Sequence, residues 1–241
     1  MKRVCLLTGA GGTLGNAFCR LYADKYEISA VYRRRLPEVP TQHQRFVDPI
    51  DPVAHLPEND HPVYAVQADL AGDDDLARVV EAVLARFGRV DVLVNAAVHY
   101  GLAPILDGGR LLESLDSQLR INVMAPLKLA AMVARDFWRG REEENIEMNR
   151  NVINVSSTSG LKVYPGSGQS VYGASKAALN HLTRHMAVEF DAIGVRVNAA
   201  APDGFPRVVA TEQVAEAIVR LDEGDMTGKI VVVDKADGLL I

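Results

Sequence analysis

Tyr172 and Lys176 stand four positions apart in "SVYGASKAALNHL" (170–182), a stretch with the apolar spacing of a helix. Four residues bring two side chains onto one helix face, so the pair reads as a phenol beside an ammonium. A free tyrosine holds its proton up to a pH of roughly 10, and a nearby cation favours the phenolate. Such a tyrosine can give a proton to a carbonyl oxygen or take one from an alcohol. Alone the pair is weak evidence: with 7 tyrosines in 241 residues, and as many lysines, chance supplies Tyr-x-x-x-Lys about 0.2 times. Its meaning depends on the elements that position it.

A second chemical feature opens the chain. "TGAGGTLG" (8–15) follows the apolar run "RVCLLT" (3–8) and leads into a helical pattern. In a strand–turn–helix unit, glycines at positions such as Gly9, Gly12 and Gly15 let the backbone turn and approach a pyrophosphate at the helix N-terminus. Thr8, Thr13 and Leu14 complete this candidate cofactor loop; the plain alternative is a tight turn without a ligand. NAD-binding units place an acidic residue about 20 positions on, at the ribose 2′-hydroxyl. Here the second apolar run ends in "VYRRR" (31–35), with no carboxylate. Guanidinium groups pair with a 2′-phosphate through two charge-assisted hydrogen bonds. Arg33 and Arg34 therefore favour NADP(H), with NAD(H) and a merely solvated basic turn as the alternatives.

Short β-branched runs recur at 3–8, 27–33, 62–68, 90–96, 151–156, 195–200 and 229–234. Their near-continuous apolarity suits strands covered on both faces. Helical patterns lie between them, at 15–26, 73–88, 114–138, 170–194 and 211–224, the last with Thr211 as its cap. This alternation predicts an α/β, doubly wound Rossmann fold in one domain spanning 1–241, with about seven parallel strands and helices on both faces. Residues 36–62 carry six prolines and read as a surface excursion, while the charged stretch 139–150 reads as a solvated loop or frayed helix end.

Composition narrows the functional classes. At 48% hydrophobic and 24% charged residues the chain has ample core material, and a net charge of −5 leaves no basic surplus for nucleic acid. No apolar stretch reaches the length of a membrane span, and the N-terminal run lacks a cleavage-site pattern. Cys5 and Cys19 read as buried small hydrophobes, consistent with a reducing cytoplasm.

With these features in order, the chain resembles the short-chain dehydrogenase/reductase family, in its shorter form, from about residue 3 to 236. "ADL" (68–70) matches the family's adenine-contacting turn through Asp69 and Leu70. "VNAAV" (94–98) resembles Asn-Asn-Ala-Gly, keeping Asn95 and Ala97 and replacing one asparagine with Ala96. "INVMAP" (121–126) supplies the helix asparagine as Asn122, "INVSSTSG" (153–160) the serine strand and "YGASKAAL" (172–179) the tyrosine–lysine helix. "VRVNAAAPDG" (195–204) resembles the strand and turn beside the nicotinamide, including Pro202.

The resemblance implies hydride transfer between a nicotinamide cofactor and a carbonyl or alcohol. Tyr172 would act as general acid/base, Ser157 would hold the substrate oxygen, and Lys176 would tune Tyr172 and bind the cofactor ribose. Asn122 would bend its helix and hold a proton-relaying water. It also implies a homodimer or homotetramer formed through the helices carrying Asn122 and Tyr172. No metal, membrane or nucleic-acid partner is expected; His181 and His185, four apart, read as packing or surface residues.

Several departures stand out. The spacing Thr-Gly-x-x-Gly-x-x-Gly resembles the family's larger members. Asp203 replaces a glycine after Pro202. Ser157 matches the serine by its Ser-x-x-Gly context, whereas Ser159 matches by distance to Tyr172; context favours Ser157. The substrate lid, usually some tens of residues, shrinks to "DGFPRVVA" (203–210). The glycine spacing leaves a nucleotide-sugar epimerase or dehydratase as a second reading, and the missing lid leaves a non-catalytic NADP(H) sensor or scaffold as a third. His99 and Tyr100 are placed to line the pocket.

Overall fold

A computed structural model describes residues 2–43 and 63–235, so most of the proline-rich excursion, 44–62, lies outside the described residues. Seven strands form one parallel sheet: β1 (Arg3–Thr8), β2 (Tyr26–Tyr32), β3 (Val63–Gln67), β4 (Val92–Asn95), β5 (Asn151–Val155), β6 (Arg196–Pro202) and β7 (Ile230–Val233). Their order is β3-β2-β1-β4-β5-β6-β7, every neighbouring pair parallel, as expected from the sequence. The chain reverses its direction of growth between β1 and β4. That topological switch opens a crevice at the carboxyl ends of the strands.

The strand period of two divides each strand's side chains between two helical layers. Val4 and Leu6 of β1 join a core with α2 (Asp73–Phe87), α4 (Ala125–Val133) and α6 (Ser170–Asp191). Cys5 and Leu7 face the other way, into a core with α1 (Thr13–Tyr22) and α7 (Thr211–Glu223). Both cysteines are free and buried, and burial pushes their thiols above the ordinary range, Cys19 to about 12. No helix among the described residues is long and apolar enough to cross a membrane.

Element boundaries differ from expectation in three places. The helical stretch expected over 114–138 begins earlier, with α3 (Gly108–Leu119), and continues through a π-helical turn at Arg120–Met124, α4 and a second π-helical turn at Ala134–Trp138. Thr211 is the first residue of α7; Ala210 holds the cap position and its N–H donates to the Gln213 side chain at 3.1 Å. Residues 139–150 are more ordered than a solvated loop. They contain α5 (Glu142–Glu147), the fully buried Asn145, which donates to the Trp138 and Ile193 carbonyls, and the buried Arg150, paired with Asp91 and Glu144.

Candidate active site

The glycine loop sits at the switch point. Ala10 N–H donates to the Val31 carbonyl at 2.9 Å and Gly12 N–H to Gly9 at 3.0 Å, folding the loop over the ends of β1 and β2. Gly9 has a φ of +72°, and a Cβ there would meet the Ala96–Ala97 backbone at 2.8 Å. A Cβ on Gly15 would stand 2.4 Å from the Gly9 carbonyl oxygen. The loop is packed backbone to backbone and leaves its outer face to a ligand.

That face belongs to a cleft of about 460 Å³ running from the end of β2 to α6. Gly9, Gly12, Thr13, Leu14 and Gly15 line its floor; Arg33 and Arg34 line one end, and Tyr172 and Lys176 the other. Leu70, Ala96 and Ala97 also face it. A gap of this shape over a glycine cradle, with guanidinium groups at one end, fits a phosphate-containing dinucleotide.

Other candidates stand behind the cleft wall. Thr8 is buried, and its Oγ1 accepts from the Ala96 and Ala97 N–H groups at 3.0 and 3.1 Å, fixing the chain where β4 meets the cleft. Asn95 donates to Asn154, which donates to Thr183 on α6, so a buried polar ladder ties β4 and β5 to the helix. Asp69 lies between cleft residues Ala68 and Leu70 but lines nothing itself. Its carboxylate accepts from Ala71 N–H and stands 3.7 Å from Arg33. Pro202 is buried at the end of β6.

Three elements converge on Tyr172. From α6, Lys176 lies one turn on and is 2% exposed; its Nζ donates to the Val155 carbonyl at 2.8 Å and stands 5.8 Å from the Tyr172 ring centre. Burial lowers the Lys176 ammonium to about 8. From the end of β5, Ser157 acts on the Tyr172 hydroxyl. Burial raises Tyr172 above its ordinary value, Ser157 opposes the rise, and Tyr100 adds to it. Ser159, the alternative serine, instead donates to Gln169 at 2.6 Å and, through its backbone N–H, to Ser157 Oγ. Ser157, rather than Ser159, is therefore the serine that acts on Tyr172.

Asn122 sits in the π-helical turn, so its helix departs from α geometry at the expected residue. Its side chain is buried and clamps the His99 backbone, accepting from N–H at 2.8 Å and donating to the carbonyl at 3.0 Å; it also donates to Ser175 Oγ. This fixes the loop bearing His99, which lines the cleft, and Tyr100, whose ring stands perpendicular to Tyr172 at 4.7 Å.

Other residues contribute to the cleft, among them the third arginine of "VYRRR". Arg35 lines the cleft beside Arg33 and Arg34, and a Cβ on Gly11 would approach its carbonyl oxygen to 1.8 Å, so Gly11 seats the arginine turn on the loop. Gly160 brings the turn after Ser157 onto α6, where a Cβ would meet the Lys176 carbonyl carbon at 2.6 Å. Phe205, in the short link between β6 and α7, also lines the cleft. An aromatic immediately after the β6 turn was the only hint of it. His181 and His185 lie on the outer face of α6, Nε2 to Nε2 3.2 Å, away from this site.

Comparison with known proteins identifies the family. The family described as short chain dehydrogenase matches residues 3–218. A 3-oxoacyl-(acyl-carrier-protein) reductase of Thermotoga maritima is 28% identical over 217 residues, covering 89% of this chain and 78% of the relative. An A-factor type gamma-butyrolactone 1′-reductase of Streptomyces virginiae is 31% identical over 205 residues, covering 83% and 70%. Among solved structures, a short chain dehydrogenase from Mycobacterium avium superposes with a TM-score of 0.77 at 26% identity, covering 100% of this chain and 84% of that one. The chain belongs to the short-chain dehydrogenase family of oxidoreductases, whose members use nicotinamide dinucleotides.

Proposed function

We propose that this protein is an NADP(H)-dependent oxidoreductase that interconverts a carbonyl and an alcohol, with Tyr172 as general acid and base. The observation that carries the reading is the convergence of Ser157, Tyr172 and Lys176 at one end of a glycine-floored cleft. The bound nicotinamide would supply the hydride. Tyr172 donates its hydroxyl proton to the substrate oxygen in reduction and recovers it in oxidation. Ser157, which acts on that hydroxyl, positions the same oxygen. Lys176 keeps a positive charge beside the phenol, which lowers the cost of forming the phenolate. Asn122 positions the pocket loop through His99. The related proteins named as reductases support reduction as the working direction.

The 2′-phosphate assignment rests on Arg33 and Arg34, exposed at the cleft end that follows β2, with no carboxylate in "VYRRR". We treat the chain as one nucleotide-binding domain. Its α4–α6 face, where Leu127 and Val188 are exposed, is the surface through which a dimer or tetramer would form. Two buried free thiols suit a cytoplasmic setting.

The test is a panel of carbonyl compounds with NADPH, followed by nicotinamide absorbance at neutral pH. Turnover of at least one class supports the reading. Tight NADPH binding without turnover across neutral, anionic and phosphorylated members favours the sensor reading.

A further inference from the structure

The mouth of the site is built from two loops rather than from a lid. After β6 only 203–210 intervenes before α7, while the loop between β4 and α3 and the one between the turn at 158–160 and α6 close on each other. Ala103 N–H donates to the Gly168 carbonyl at 3.0 Å, and Gln169 Nε2 reaches the Tyr100 hydroxyl at 3.4 Å. These contacts hold the Tyr100 ring against Tyr172 at the rim of the cleft, outside its lining, and leave 55% of Tyr100 exposed, while Val98, which lines the cleft, is 51% exposed. Phe205 supplies another apolar surface in the cleft.

Charge is absent from this wall in a specific way. Residues 96–106, "AAVHYGLAPIL", contain no Asp, Glu, Lys or Arg, and 157–174 contain only Lys162. Lys162 lies over the Tyr164 ring at 5.0 Å. Arg207, on the short link, is exposed and does not line the cleft. Lys176 is buried on Val155. The arginines follow β2, three strand spacings from β5, roughly 14 Å away. The Asp203 carboxylate lies outside the cleft lining, where it accepts from Tyr164 at 3.1 Å and from Thr158 at 3.4 Å. Among the described residues that line this wall the His99 imidazole is the one ionisable group besides Tyr172, so an anionic substrate would find no lysine or arginine there to pair with, whereas an apolar one would cover exposed aromatic surface.

We infer that the substrate is an uncharged carbonyl compound whose apolar group packs on Tyr100, and that phosphorylated and carboxylate-bearing carbonyls are excluded. This rests on the assignment of Tyr172 as proton donor. Tyr100 is then the residue that sets specificity.

The test uses matched pairs with NADPH: octanal against 8-oxooctanoate and benzaldehyde against 4-carboxybenzaldehyde, with a phosphorylated aldose as third arm. The neutral member is expected to have a kcat/KM about 100-fold higher or more. Tyr100→Ala should raise KM for the neutral members about 10-fold, with a smaller change in kcat, while Tyr100→Phe keeps the discrimination. Equal or better turnover of the charged members, abolished by Tyr172→Phe, overturns the inference and leaves the oxidoreductase reading standing. An unaltered neutral-to-charged ratio in Tyr100→Ala removes Tyr100 from its role. No turnover in any arm, by protein that binds NADPH, overturns both.

Discussion

Lys176 Nζ donates to the Val155 carbonyl at 2.8 Å while standing 5.8 Å from the centre of the Tyr172 ring. One buried ammonium thus ties α6 to β5 and keeps a charge beside the phenol. The two roles differ in cost, because burial penalises the charged form.

That cost is measurable through pH. Lys176 has a pKa of about 8 in the folded chain against an ordinary 10.5, so the folded state binds this proton less tightly than the unfolded one. The penalty is fully present below pH 8 and is relieved as pH rises from 8 towards 10.5. Lys176→Met removes it. The variant's stability relative to the parent should therefore decline by roughly 2–3 kcal/mol between pH 7 and pH 10, while activity is lost throughout. Denaturant unfolding of both proteins at the two pH values checks this; a difference independent of pH contradicts it.

The proposed preference for NADP(H) rests on the arginine turn. Arg33→Ala with Arg34→Ala should weaken NADPH binding by about 10- to 100-fold, as expected for losing charge-assisted bonds of about 1.5–3 kcal/mol, and leave NADH binding nearly unaltered. Fluorescence titration with each nucleotide distinguishes the outcomes. An equal loss for both nucleotides would mean that the turn is structural and reads no 2′-phosphate.

Gly160 should matter to catalysis more than to binding. A methyl group there would collide with the Lys176–Ala177 backbone, and the turn carrying Ser157 would have to lift from α6. Gly160→Ala is expected to lower kcat about 10- to 100-fold with a much smaller change in NADPH affinity, since small misplacements of a catalytic group are costly. A proportionate loss of both would point to general unfolding.

The proposed site is readable in the sequence where backbone constraints force residue identity. The glycine string, the Tyr172–Lys176 spacing and the serine strand each carry such a constraint, and the structure brings Ser157, Tyr172 and Lys176 together. The choice between Ser157 and Ser159 depended on which hydroxyl reaches Tyr172, which spacing alone does not encode. The early start of α3 was masked by Gly108 and Gly109, which read as a turn but occupy its first helical positions. Arg150 looked like part of a solvated charge run. Its burial is balanced by Asp91 and Glu144, partners distant in sequence or outside any periodic pattern. Phe205 escaped because a pocket wall contributed by a short link has no periodicity to read.

In the proposed reaction Tyr172 carries the proton, and comparing Tyr172→Phe with the parent for NADPH affinity and for carbonyl turnover tests this. The ring and its contact with Tyr100 are preserved and only the hydroxyl is lost. NADPH binding is expected within about two-fold of the parent and turnover reduced by about 10²–10⁴. Turnover that survives within a few-fold would contradict this role.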